Sequence, residues 1–110
     1  MNFEVKKTGK STVLKIRERK LDATVSAELK GEFLILCNAE MKDFVVDMTN
    51  VEFCDSSGLS ALLIAERKMR ETGGVVKLAG LHKKVLTLIQ ISHLDRAFQI
   101  FDTVAKATRA

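Results

Sequence analysis

Several kinds of residue are scarce in this chain of 110 residues, and each shortage excludes a class of protein. Proline, tryptophan and tyrosine are absent, so the chain has no proline-rich linker and few aromatic rings on which nucleic-acid bases stack. Apolar runs such as residues 61–65 are far shorter than the roughly 20 residues that cross a bilayer. Residues 1–7 do not lead into the apolar core of a signal peptide. We therefore predict a cytoplasmic protein that does not insert into membranes.

Cysteine and histidine, the usual ligands of transition metals, are also rare. Cys37 and Cys54 have neither a Cys-x-x-Cys spacing nor metal-ligand neighbours, and each follows apolar residues. We predict that both are small buried hydrophobic residues in a reducing compartment. His82 and His93 have no acidic or cysteine partner arranged for a metal or a catalytic triad, so we expect both at the surface near helix ends.

The chain is moderately basic, and residues of both charges are mixed along it. It has 18 Lys or Arg and 14 Asp or Glu, for a formal net charge of +4. Acidic residues interleave with the basic ones along most of the chain, which is typical of a solvated surface. A small basic nucleic-acid binder stays as an alternative, and its affinity would fall steeply with salt.

Hydrophobic periodicity predicts strands that alternate with helices. Residues 44–48 are almost all apolar, as in a strand buried on both faces, and Gly73-Gly74 is typical of a left-handed cap that ends a helix. Helices between strands imply parallel pairing by right-handed crossovers, with every helix on one face if successive strands add on one side. We predict one α/β domain over residues 1–110, with a mixed, mostly parallel sheet of about four or five strands and helices mainly on one face. The expected strands are 3–7, 12–16, 44–48, 75–79 and 98–101, and the expected helices are 24–40 (capped by Asp22 or Thr24), 59–71, 82–91 and 104–109.

The turn Asp55-Ser56-Ser57-Gly58 places two hydroxyl groups at the start of a helix. We expect Ser56 or Ser57 to cap that helix, which by itself stabilises a protein by about 1 kcal/mol. The alternative is that one serine accepts a phosphoryl group, because free N–H groups and the helix dipole both favour an anion there. A phosphate would add a charge of about −1.5 to −2 at one point. Asp55 would oppose it, so the modification suits repelling a partner better than reshaping the fold.

The run Asp55-Ser56-Ser57-Gly58-Leu59 after an apolar strand resembles the signature of the STAS domain, and more narrowly that of the bacterial anti-sigma factor antagonists. The resemblance extends to Leu21-Asp22, to Gly73-Gly74 and to residues 85–94. In that family the serine after the aspartate is the phosphoacceptor, which implies Ser56, with Ser57 as the alternative. The resemblance also implies two partners, a GHKL-type anti-sigma kinase that brings its own Mg-ATP and a metal-dependent phosphatase of the PP2C type. It implies no cofactor in this chain.

A partner-binding surface around the turn is the next implication of the resemblance. It implies that Asp22 lines this surface, together with Asp55, Ser57, Gly58 and Ser60. Helical spacing adds Ile64, which falls opposite the apolar side of its helix, so we expect it to be exposed and to anchor a partner. The chain departs from the family in Arg19-Lys20 and Ser60, where glycine is common, and in being basic where many antagonists are acidic. These departures concern the identity of the partner.

The sequence offers little support for an enzyme. Asp47, Glu52 and Asp55 could meet near the turn, but no glycine-rich pocket loop, nucleophile–base pair or nucleotide-binding motif accompanies them. We predict that Ser56 is a substrate for the chemistry of another protein. A second interpretation is a STAS subunit that regulates or scaffolds a larger assembly, such as a transporter ATPase, without phosphorylation.

Overall fold

The elements of the chain are seven strands and four helices, taken from a computed structural model that describes all of residues 1–110. None of the helices has the length and apolar character needed to span a membrane. In chain order the elements are β1 Phe3–Thr8, β2 Ser11–Ile16, β3 Lys20–Leu21, α1 Ala23–Leu36, β4 Asp43–Asp47, β5 Phe53–Cys54, α2 Ser56–Glu71, β6 Val75–Ala79, α3 Lys83–Ile91, a 3₁₀ turn Leu94–Arg96, β7 Gln99–Phe101 and α4 Val104–Arg109.

Five of the strands form one mixed sheet in the order β1-β2-β4-β6-β7. β1 and β2 form an antiparallel hairpin, and every other neighbouring pair is parallel. Gly9 has φ +60° in the hairpin turn, a backbone conformation that glycine adopts without steric cost. The predicted α/β class and the mostly parallel sheet are therefore confirmed.

The main core lies between the sheet and the three helices α1, α2 and α3. It is a single cluster of 22 buried residues, and it includes Phe44 and Val46 from the central strand β4. Val45, between them, belongs to a second, smaller cluster on the opposite face. β4 is consequently buried on both faces, as its apolar sequence predicts.

Helix α4 packs on the face of the sheet opposite to the other three helices. Ala107 contacts the small cluster of Val13, Val45 and Ala79 there. The buried ammonium group of Lys77 lies 2.7 Å from Asp43 Oδ1 and donates to the carbonyl oxygen of Ala107 at 2.9 Å. The prediction that helices lie mainly on one face is therefore confirmed, while the conditional expectation that every helix does so is wrong for α4. The physical reason is that α4 follows the last strand and is not a crossover between parallel strands.

Two helix ends differ from the predicted positions by three or more residues, and two short strands were not predicted. α1 ends at Leu36 and not near residue 40, because Asn38 Oδ1 accepts the N–H groups of Glu40 and Met41 and forms a turn instead. α2 begins at Ser56, three residues earlier than predicted. The strands β3 and β5 were not predicted, because two-residue strands are too short to show a period.

Candidate functional site

The short parallel pair β3 and β5 brings the first turns of α1 and α2 together. Leu21 pairs with Cys54, and the backbone N–H of Asp55 donates to the carbonyl oxygen of Leu21 at 3.1 Å. Asp22 and Asp55 each follow directly after these paired strands, and each is the N-cap of its helix. The structure therefore places Asp22 beside the Asp55 turn.

Asp55 is the residue that caps α2. Its Oδ1 accepts the backbone N–H groups of Ser57 at 2.9 Å and Gly58 at 3.2 Å, and the hydroxyl of Ser57 at 2.5 Å. The hydrogen bond from the Ser57 hydroxyl, assisted by the backbone N–H groups, lowers the pKa of the Asp55 carboxyl below its ordinary value of 3.8. The prediction that Ser56 or Ser57 caps the helix is therefore wrong. The Asp55 carboxylate, one residue before Ser56, accepts the first free N–H groups of α2, so the helix begins at Ser56.

The two serines of the turn differ in how free their hydroxyl groups are. Ser57 is half-buried, and its hydroxyl is engaged with Asp55. Ser56 is the first residue of α2 and is exposed, while its hydroxyl makes no hydrogen bond within the chain. Of the two candidates, Ser56 is the one whose oxygen another protein can reach without breaking an existing bond.

Gly58 is buried where the first turn of α2 packs directly on β3. A β-carbon at this position would lie 2.4 Å from the carbonyl oxygen of Leu21 and 2.8 Å from both Cys54 Sγ and Leu21 Cβ. No side chain fits in that space, so glycine is needed for this close approach. Ser60, two residues later, is half-buried on α2.

Ile64 does not stand out into solvent as the sequence predicts. It is partly buried and packs against the main core. α1 packs along α2, so α2 is covered on a second side in addition to the side that faces the sheet. The predicted exposure of Ile64 is therefore wrong, because helical periodicity indicates one buried side and the neighbouring helix adds another.

Phe53 is the exposed apolar residue nearest to the turn in sequence, and it was not predicted as a site residue. Its side chain is 48% exposed, whereas Leu21 and Cys54 of the same strand pair are buried. The only sequence signal for the exposure of Phe53 is that neighbouring residues of a strand point to opposite sides, and the strand of Phe53 and Cys54 has just two residues.

The cysteines and histidines lie where the sequence predicts. Cys37 and Cys54 are buried, and burial raises the pKa of their thiols to about 11 and about 12. His82 is exposed at the start of α3, where its Nε2 donates to the carbonyl oxygen of Thr49 at 2.7 Å. His93 is exposed just before the 3₁₀ turn.

The three carboxylates near the turn each have a partner of their own. Asp47 Oδ1 accepts the backbone N–H of Thr49 at 3.0 Å, and Glu52 forms an ion pair with Arg19 at 2.9 Å. Asp55 is occupied by the cap of α2. These groups therefore do not combine into a shared acid–base site.

Comparisons with a family model and with solved structures bear on the family and the fold of the chain. The family model described as the STAS domain matches residues 2–107. An anti-sigma factor antagonist from Mycobacterium paratuberculosis superposes with a TM-score of 0.81 at 23% identity, covering 98% of this chain and 91% of that one. The phosphorylated form of the Bacillus cell-fate determinant SpoIIAA gives 0.76 at 17% identity, with 98% and 97% covered. A sulfate transporter family protein from Wolinella succinogenes gives 0.79 at 20% identity, with 91% and 83% covered. These structures share the fold of this chain.

Proposed function

We propose that this chain, which belongs to the STAS domain family, is an anti-sigma factor antagonist. In this proposal, phosphorylation of Ser56 controls its binding to an anti-sigma kinase. The observation that carries the proposal is the exposed hydroxyl of Ser56 at the start of α2, which has no partner within the chain. Ser57 is the weaker candidate because its hydroxyl already bonds Asp55.

In the proposed cycle the unphosphorylated chain binds a GHKL-type anti-sigma kinase, and this binding releases a sigma factor in the cytoplasm. The kinase transfers the terminal phosphoryl group of its own Mg-ATP to Ser56. A bond forms between Ser56 Oγ and phosphorus, the bond from phosphorus to the departing ADP breaks, and the hydroxyl proton is released. A PP2C-type phosphatase removes the phosphate again. In this cycle the chain is a substrate that needs no cofactor and catalyses nothing itself.

The surroundings of Ser56 determine what a phosphate would do there. Asp55 already accepts the N–H groups of Ser57 and Gly58, so a phosphate finds fewer free donors than an uncapped helix would offer. Asp55 is also negatively charged and close by. The added charge of about −1.5 to −2 therefore acts mainly on a partner that approaches the surface. We expect the fold to stay unchanged on phosphorylation.

Site mapping after phosphorylation tests the proposal. The purified chain is incubated with Mg-ATP and each GHKL-type kinase of the native cell in turn, and intact mass and peptide mapping follow. We expect one phosphate on the wild type and on Ser57→Ala, and none on Ser56→Ala. A phosphate on Ser56→Ala but not on Ser57→Ala would identify Ser57 as the phosphoacceptor.

A second measurement concerns binding. Ser56→Asp should keep the far-UV circular dichroism of the wild type, because an acidic residue suits the first turn of a helix, yet it should bind the kinase more weakly. Ser56→Ala should bind as the wild type does. Equal affinity of all three forms would contradict control by charge at this position.

The likeness to a sulfate transporter family protein favours a second candidate function. In that case the chain regulates or scaffolds a larger transport assembly without being phosphorylated. This alternative predicts a stable complex that neither Ser56→Ala nor Ser56→Asp alters. It also predicts that protein from the native cell carries no phosphate under any growth condition.

A further inference from the structure

A basic surface lies beside the Asp55 turn, and the phosphorylation step does not use it. We name it the basic flank. It contains one exposed aromatic side chain, one carboxylate and five basic or imidazole groups from three separate segments of the chain. Its members are Arg19, Lys20, Glu52, Phe53, His82, Lys83 and Lys84.

Backbone pairing holds the first half of the basic flank together. Lys20 of β3 is the register partner of Phe53 in β5. The carbonyl oxygen of Arg19 accepts the N–H groups of Glu52 at 2.8 Å and Phe53 at 3.1 Å. The guanidinium of Arg19 also lies 2.9 Å from the Glu52 carboxylate. These four residues therefore form one connected surface.

The first turn of α3 supplies the other half. α3 packs beside β5, and a shallow open cleft is lined by Glu52, His82, Lys83 and Lys84. His82 is anchored there by its hydrogen bond to the loop carbonyl of Thr49. The basic flank is thus continuous from β3 to α3, and β5 leads from it directly into Asp55 and Ser56.

Most of the net charge of the protein resides in the basic flank. It contains four of the 18 Lys and Arg residues and one of the 14 Asp and Glu residues, which leaves a formal charge of +1 for the rest of the chain. Lys20, Lys83 and Lys84 are exposed, and none of them forms an ion pair within the chain. The neighbouring capping carboxylates, Asp22 and Asp55, are directed to N–H groups at the starts of α1 and α2.

Phe53 adds one exposed apolar side chain to this charged surface. Interfaces concentrate their binding energy in a few aromatic or arginine side chains, which are ringed by polar groups. From this arrangement we infer that the basic flank is the docking surface for the kinase of the proposed function, on which the inference rests. The partner presents acidic side chains around an apolar pocket that takes Phe53. A phosphate on Ser56 offsets much of the attracting charge and so weakens docking without a change of fold.

Two pairs of matched variants test this inference. Lys83→Glu/Lys84→Glu reverses charge in the basic flank, and Lys6→Glu/Lys7→Glu makes the same charge change on exposed residues of β1, which pair toward the amino-terminal end of β2. Phe53→Ala removes the exposed apolar side chain of the basic flank, and Ile35→Ala removes a side chain that is 73% exposed near the end of α1.

The dissociation constants of each variant are measured by calorimetry against each purified GHKL-type kinase of the native cell, at low and high salt. We expect Lys83→Glu/Lys84→Glu and Phe53→Ala each to raise the dissociation constant at least about tenfold, and both controls to match the wild type. The wild-type affinity should also fall as salt is raised. Circular dichroism melts confirm that all four variants fold.

The outcomes separate the inference from the proposed function. If the wild type binds a kinase and the basic-flank variants bind as tightly as their controls, docking on the basic flank is overturned while the antagonist function stands. If the wild type binds none of the kinases, the proposed function fails and the inference fails with it.

Discussion

Replacing Gly58 with alanine probes the contact that joins the first turn of α2 to β3. The new β-carbon would meet the Leu21 carbonyl oxygen at 2.4 Å and Leu21 Cβ at 2.8 Å. Neither atom can rotate away, because one belongs to the backbone and the other is bonded to it. The chain must therefore shift in a region that also carries the cap of α2.

The size of the effect follows from two opposing contributions. Overpacking a tight site costs typically 1–3 kcal/mol, and the two Leu21 atoms that cannot rotate away put this site toward the upper end, at about 3 kcal/mol. Alanine returns up to about 1 kcal/mol through its better helix propensity. We expect Gly58→Ala to lower the free energy of unfolding by about 2 kcal/mol, which corresponds to a fall in melting temperature of roughly 8 °C or more.

Gly31→Ala is the matched control, because Gly31 lies inside α1 and a β-carbon there meets nothing within 4 Å. It should raise the free energy of unfolding by about 0.4–1 kcal/mol. Urea unfolding followed by far-UV circular dichroism is the suitable assay, since the chain has no Trp or Tyr to report by fluorescence. A Gly58→Ala protein as stable as the wild type would refute the close packing of α2 on β3.

Three further perturbations follow from the structure. The lowered pKa of Asp55 means that its stabilising contribution is present above its unfolded value of about 3.8 and is lost as the pH falls through the lower folded pKa. The stability advantage of the wild type over Asp55→Asn should therefore shrink when unfolding is measured at pH 3 instead of pH 7, and a constant difference would contradict this. Lys77→Met leaves the buried carboxylate of Asp43 without its ion-pair partner and should lower the free energy of unfolding in urea by about 3–5 kcal/mol. The double variant Asp43→Asn/Lys77→Met should recover most of this loss. A loss below about 1 kcal/mol would argue against the buried pair. Cys37 and Cys54, whose thiol pKa values burial raises to about 11 and about 12, should react with a thiol reagent at pH 8 only after unfolding, and fast reaction of the folded chain would show that they are accessible.

Local sequence determined most of the large elements of this protein. The apolar composition of β4 indicated a strand buried on both faces, which the two clusters confirm. Gly73 has φ +78° just after α2, as its place in the Gly73-Gly74 pair predicts. Such features depend on residues close together in sequence, through hydrophobic periodicity and through the backbone freedom of glycine.

The site was predictable in its location but not in its internal bonding. The run of residues 55–58 indicated a turn with hydroxyl groups at the start of a helix, and the structure has that turn. Capping propensity did not distinguish Ser56 from Ser57, since both are good cap residues, and only the family resemblance favoured Ser56. The distinction arises from the position of the Asp55 carboxylate, which engages Ser57 and leaves Ser56 free.

Only the tertiary structure decided which surfaces are open. Ile64 is partly buried where α1 packs along α2, and Phe53 is exposed on the outer side of the short β3-β5 pair, whose other side is buried. α4 lies on the second face of the sheet, where Lys77 contacts Asp43 and the end of the helix. Each of these outcomes depends on contacts between residues that are far apart in the chain. Periodicity within one segment carries no information about the neighbour that will cover it.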